Sequence, residues 1–266
     1  MKLKRRILIK DNGRSPLDQP PLRQAGQSDA EKVQNINIKI VIFLCFAVFF
    51  ALFAYSEWLY FLFQTPPQPI IWSCIALIAI VFCGYNIIKL LEERKNWDLG
   101  RQGEIEVSNY VDELRTKGYE VFHDIQCNEK TSPFNIDHLI VSPQGIFAIE
   151  TKTRRKRYLR NNRVDFDGKL EIKISGHGVD IETVPSALSK SKWLSDHILP
   201  KRGDQTKYPV FSIIVFPGWS VIGAQFGKDA WVINHKMIQW EIPKRSTILT
   251  NEEINSISQV LKNRNR

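Results

Sequence analysis

The sequence predicts an α/β domain, a sheet flanked by helices, carried behind two helices long enough to cross a membrane. Three observations lead there. Two apolar runs fill most of residues 40–91. From Leu99 onward, helix-like and strand-like patterns alternate. Between them, the apolar stretch from Asn135 to Lys152 carries three charged side chains at strand spacing: Asp137, Glu150 and Lys152.

Residues 1–36 are polar and basic, with Lys2, Lys4, Arg5, Arg6, Lys10, Arg14 and Arg23. The apolar stretch Ile7-Leu-Ile9 is too short for a signal-peptide core, so the segment reads as a mobile cytoplasmic tail. A helical hairpin follows over residues 37–92. Its spans cover residues 40–63, with Glu57 as the sole charge, and 70–91, with Lys89 near the end. At about 1.5 Å per residue, each run matches a hydrocarbon core of about 30 Å. Gln64-Thr-Pro-Pro-Gln-Pro69 between them cannot continue a helix. Trp58, Tyr60 and Trp72 cluster near this turn as an aromatic belt would. Lys32, Lys39, Lys89, Arg94 and Lys95 lie at the other end, which predicts two spans with both termini cytoplasmic, in a bacterial inner membrane. The competing reading is a hairpin buried in a soluble core. Glu57 reads as an interfacial, snorkelling acid rather than an intramembrane site.

Residues 91–98 form a charged juncture, and the domain proper covers residues 97–216. A helix runs from Arg101 to about Lys117 and stops at Gly118. Val107, Val111 and Leu114 mark its inward stripe, and Glu104 falls on that stripe one turn earlier. Such an acid at the start of the core face can favour the helix dipole. A strand over residues 119–125 comes next, then a hairpin between Asp137 and Lys152 turning at Ser142-Pro-Gln-Gly145. A second hairpin turns at Asp167-Gly168, and a helix spans residues 185–198 with Ala187, Ser191, Leu194 and Ile198 in register. Strands follow over residues 208–216 and 230–234. Residues 217–266 complete the domain with a strand and a final helix, opened by the capping box Thr250-Asn-Glu-Glu253.

In the first hairpin, pairing Val141 with Ile146 sets Leu139 opposite Ala148 and Asp137 opposite Glu150. Opposed side chains share a face roughly 5 Å apart, and Lys152, two residues on, joins them. Two carboxylates directly opposed repel, so a fold keeps them with a compensating cation. Hard carboxylate oxygens suit Mg²⁺ or Mn²⁺, with Asp137 and Glu150 as ligands. Lys152 then stands where it can orient or deprotonate a water or stabilise developing phosphate charge. The plainer reading is a salt-bridge cluster at a strand end.

Gly100-Arg-Gln-Gly-Glu104, Asn135-Ile-Asp137-His-Leu-Ile-Val and Gly145-Ile-Phe-Ala-Ile-Glu150-Thr-Lys152 together resemble the nuclease-related domain, grouped with the restriction-endonuclease-like PD-(D/E)XK superfamily. The resemblance is strong over residues 97–155 and weaker to about 216. It implies a mixed sheet flanked by helices and a metal-dependent nuclease, with Asp137, Glu150, Lys152 and Glu104 as catalytic residues. Ile136 stands where the superfamily name has Pro. Ser-Ala-Leu188 stands where relatives are expected to carry Gln.

Seven of the thirteen residues from Thr151 to Arg163 are basic. Arg154, Arg155, Lys156, Arg157, Arg160 and Arg163 are therefore candidate phosphate-backbone contacts. A solvated loop and a contact with anionic lipid are the alternatives. The formal charge of +9 agrees with nucleic acid or an anionic membrane as partner, and the hairpin offers a surface to other membrane proteins. Cys45, Cys74, Cys83 and Cys127 lack zinc spacing and suggest no disulfide framework. The five histidines show no ligand spacing; His138 should point away from Asp137. The expected function is a membrane-anchored nuclease acting on DNA or RNA. A weak or inactive nucleic-acid-binding scaffold is the alternative, and a transporter element the least favoured. The oligomeric state is left open.

Overall fold

The computed structural model describes residues 22–63, 68–127, 133–156, 162–223 and 225–264. Helices α1 (Gln27–Leu62) and α2 (Pro69–Asp112) come first and lie side by side. Both are long and apolar enough to cross a membrane. Only 6% and 11% of their most apolar windows are buried, which argues against a hairpin packed in a soluble core. Aromatic contacts hold the pair together: Phe53 meets Trp72 edge-on at 4.6 Å, and Trp58 Nε1 donates to Ser73 Oγ at 2.9 Å.

Both helices overrun the boundaries read from hydropathy. Within the segment expected to be a tail, α1 already begins at Gln27. Residues 27–36 hold no Gly or Pro, and a helix once nucleated extends through such residues at little cost. Residues 1–21 lie outside the described residues. Likewise α2 does not break at residues 91–98. Arg94 pairs with Asp98 at 3.7 Å across one turn, and the apolar span continues into the domain's first helix. A 3₁₀ turn (Glu113–Lys117) then ends at Gly118, left-handed at φ 81°, as its sequence predicts.

The domain holds two sheets. Strands β1 (Glu120–Cys127), β2 (Phe134–Ser142), β3 (Gly145–Thr151), β7 (Val210–Val215) and β9 (Ala230–Ile233) form a mixed sheet in that order. The first three run antiparallel; β3, β7 and β9 run parallel. Strands β4 (Arg163–Phe166), β5 (Ile172–Ile174), β6 (Gly178–Asp180) and β8 (Ser220–Gly223) form the smaller sheet, ordered β6-β5-β4-β8. The β4–β5 hairpin turns at Asp167, whose Oδ1 accepts from the N–H groups of Lys169, Leu170 and Glu171. Strands β6 and β8 and the short turns over residues 235–244 escape sequence reading because they are too short for a period to register.

Helices α3 (Thr183–His197) and α5 (Asn251–Arg264) cover one face of the main sheet, packing Leu194, Ile198, Ile257 and Leu261 on Leu139, Val141 and Ala148. On the other face, Val107, Val111 and Leu114 meet Ile140, Phe147 and Ile149, together with Ile238 of α4 (Ile238–Glu241). Burial of each such side chain contributes about 1.5–3 kcal/mol. The capping box forms as read: Glu253 N–H donates to Thr250 Oγ1, and Thr250 N–H to Glu253 Oε2 at 2.8 Å.

Candidate functional site

The β2–β3 hairpin has the expected register, with Val141 opposite Ile146, Leu139 opposite Ala148 and His138 opposite Ile149. One step further along stand Asp137 and Glu150, both buried. Asp137 Oδ2 accepts from Thr151 N–H at 2.7 Å, which ties its carboxylate to β3. Lys152 donates to Glu150 Oε1 at 2.9 Å. The three residues thus converge where β3 leaves the sheet.

A fourth group joins them. Lys190 of α3 donates to Glu150 Oε2 at 2.6 Å, so two ammoniums flank one carboxylate. Lys190 stands three residues after Ala187 and four before Leu194, on the inward stripe of its helix. A lysine at that position was the signal available in the sequence, and the reading passed over it.

Glu104 arrives from α2, also buried. The glycines ahead of it permit the approach. A Cβ on Gly103 would collide with the Thr153 Cγ2 methyl, and one on Gly100 would lie 2.7 Å from Asp29 Oδ2. The Gly-x-x-Gly-Glu spacing therefore lets one helix pass close to both β3 and α1, delivering Glu104 to the cluster. Sequence reading also missed two more acids. Asp124 falls on β1 between the His123–His138 and Ile125–Ile136 pairs, level with Asp137. Asp29 of α1 lines the same cleft. The visible signal was an acid inside an apolar strand and another ahead of an apolar run.

Electrostatics follow from this crowding. Burial raises the Asp137 carboxyl well above the usual range, and the charges of Glu150 and Glu104 add to it against the pull of Lys190 and the Thr151 N–H. Glu104 is pushed up to about 8, chiefly by burial and then by Asp29, Asp124 and Glu150. Burial would also raise Glu150, but Lys152 and Lys190 outweigh it and hold the group below its ordinary value. Asp29 is raised by burial against the attraction of Lys32.

The cleft above these groups measures about 580 Å³. Arg154 and Arg155 line it, and Arg155 Nη2 donates to Asn96 Oδ1 at 3.2 Å. The rest of the basic run does not gather there. Lys156 turns into a neighbouring groove beside Gly218, and Arg163 sits exposed on β4 of the smaller sheet. Arg157 and Arg160 lie outside the described residues. His138 points away, as expected, its Nδ1 2.8 Å from His123 Nδ1.

Among the described residues, no group of three or more His, Cys, Asp or Glu side chains is arranged to hold a metal ion. The donor set that does exist is Asp137 with Glu150. Magnesium retains several waters and takes only one or two protein carboxylates, so two suffice. Burial, reinforced by the charges of Glu150 and Glu104, disfavours the ionised Asp137 carboxyl, and a bound dication would favour it.

A mixed sheet flanked by helices, gathering buried acids and two lysines beside a cleft lined by acidic and basic side chains, defines an α/β domain with a polar cleft. Residues 99–217, a little under half of the chain, match the family model described as NERD, Nuclease-related domain. Comparisons with curated proteins and with solved structures returned no match.

Proposed function

We propose that the protein is a membrane-anchored, metal-dependent nuclease hydrolysing phosphodiester bonds of DNA or RNA on the cytoplasmic side. The observation that carries this reading is the convergence of Asp137, Glu150 and Lys152 in a cleft also lined by Arg154 and Arg155, within the stretch that matches the nuclease-related domain model. Asp137 and Glu150, with the Thr151 carbonyl, would hold Mg²⁺ or Mn²⁺. That ion would supply Lewis acidity toward the phosphate and lower the pKa of a bound water. Lys190 fixes Glu150 from the α3 side, leaving Lys152 to orient the attacking water. Glu104, titrating near neutrality, is placed to exchange a proton with solvent near the cluster. Arg154 and Arg155 would hold flanking phosphates. Water adds at phosphorus, one ester P–O bond breaks, and the products are a phosphate monoester and a hydroxyl.

A second reading is favoured by one observation: Lys152 and Lys190 already balance Glu150 by themselves. On that reading the domain binds nucleic acid without cutting it. The test is the full chain in detergent, incubated with single- and double-stranded DNA and RNA in Mg²⁺, Mn²⁺ or EDTA. Cleavage with a divalent ion that stops in EDTA supports the nuclease. Binding with no cleavage on any substrate supports the scaffold.

A further inference from the structure

We propose that the segment from Arg23 to Asp29, leading into the first apolar helix, is a positioning strap for Glu104 and a working part of the cleft. Its catalytic consequence rests on the nuclease reading; its docking does not.

Asp124 is the anchor. It is 0% exposed and stands in a left-handed conformation, φ 49°. Its carboxylate accepts from Arg23 Nε at 2.8 Å, Ser28 N–H at 3.0 Å, Ser28 Oγ at 2.7 Å and Asn135 Nδ2 at 2.8 Å. A fully buried carboxylate is tolerated when paired and hydrogen-bonded, and here most of the partners come from a segment about a hundred residues away in sequence. Between those anchors the strap crosses α2. Gly26 N–H donates to Glu104 Oε2 at 3.0 Å. Gly26 is left-handed at φ 70°, and a Cβ there would lie 2.7 Å from Arg101 Cγ, so the crossing requires glycine.

The same contacts solve a problem for α1. The first N–H groups of a helix lack partners within it, and the positive end of the helix dipole favours anions. Gly26 itself offers no capping side chain. The domain supplies the caps instead: Glu104 takes the Gly26 N–H and Asp124 takes the Ser28 N–H. The apolar helix and a carboxylate of the cluster thus share one hydrogen bond, and movement of α1 bears directly on Glu104.

The experiment uses the full chain in detergent. Amide exchange at Gly26 and Ser28 reports docking, because helix-start amides are ordinarily unprotected. Both should exchange slowly in the wild type and fast in Arg23→Ala, with the middle of α1 unaffected. Arg23→Ala should lower kcat roughly tenfold or more through misplacement, with KM changed less than about threefold. Arg23→Lys, or Asp124→Asn added to Arg23→Ala, should recover much of the loss by restoring or removing the charge. Fast exchange at both amides in the wild type would overturn the strap. Slow exchange in the wild type, lost in Arg23→Ala with no change in kcat, would overturn its positioning role. Slow exchange in a wild type that cuts nothing would support the strap and sink the nuclease reading instead.

Discussion

Asp137 and His138 are neighbours on β2, both buried and both polar, yet they face opposite sides of the sheet. The His138 side is a short relay that runs out to the surface, with His138 Nε2 buried and without a hydrogen-bond partner among the described residues. Its Nδ1 meets His123, whose Nε2 lies 3.1 Å from Asp112, which Arg115 holds at 2.6 Å near the surface. Burial keeps His138 neutral, below its usual range, so nothing on that face demands a further charge. The Asp137 side gathers Glu150, Glu104, Asp124 and Asp29 against Lys152, Lys190, Arg23 and Lys32, and two of its carboxyls titrate far above normal. A buried relay with a single carboxylate at its surface end contributes structure; one that crowds several carboxyls around two lysines has capacity for a ligand.

The sharpest way to break this contrast is to remove one acid. Asp137→Asn or Glu150→Gln should lower divalent-dependent cleavage by about 10²–10³-fold, in the range of losing a major electrostatic contact. Asp137→Asn should leave the melting temperature of the metal-free protein unchanged or higher, because it relieves repulsion. A lower melting temperature with normal cleavage would reverse the roles assigned to the two faces.

Next in size is the lysine that the sequence reading missed. Lys190→Met leaves Glu150 with Lys152 alone, and turnover should fall roughly tenfold, about 1.4 kcal/mol in barrier. Steady-state kinetics check it, and unchanged turnover would assign Lys190 to structure.

Acidity offers a third probe. Glu104 is pushed up to about 8 in the folded chain, against about 4.5 for the ordinary group. Between those values the unfolded chain has lost this proton and the native chain keeps it. Stability from Glu104 is therefore full below about pH 4.5 and is lost as pH rises through about 8. Melting of the metal-free protein should fall across that window, and Glu104→Gln should flatten the fall.

The smallest effect belongs to the quiet face. His138→Leu removes the ring nitrogen that His123 Nδ1 meets and should cost about 1–3 kcal/mol of stability in denaturant melts. Cleavage should stay within about twofold.

Much of this was legible beforehand, for a definable reason. The β2–β3 hairpin repeats with period two around a turn, so its register fixed which residues share a face, and Asp137, Glu150 and Lys152 followed. Gly118 and Thr250 likewise mark helix ends by local chemistry alone. Lys190 and Asp124 stand out locally as charges at inward positions, but their partners, and the role of Arg23, depend on which distant elements meet, and local pattern carries no such information. The helix boundaries failed differently. Hydropathy shows where an apolar run stops, but a helix stops only where its backbone does, and residues 91–98 give no reason to stop.

That last point has a mechanical side. Helix α2 runs unbroken from Pro69 to Asp112, from its apolar stretch to the residues that hold the sheet. It is an axle without a joint. Each residue advances an α-helix about 1.5 Å and turns it about 100°. A single residue inserted between Leu91 and Gly100 would swing the cleft more than a quarter turn about that axle, whereas inserting seven would return it nearly to its bearing, about 10 Å farther out. The length of this stretch therefore sets the azimuth of the cleft as well as its height.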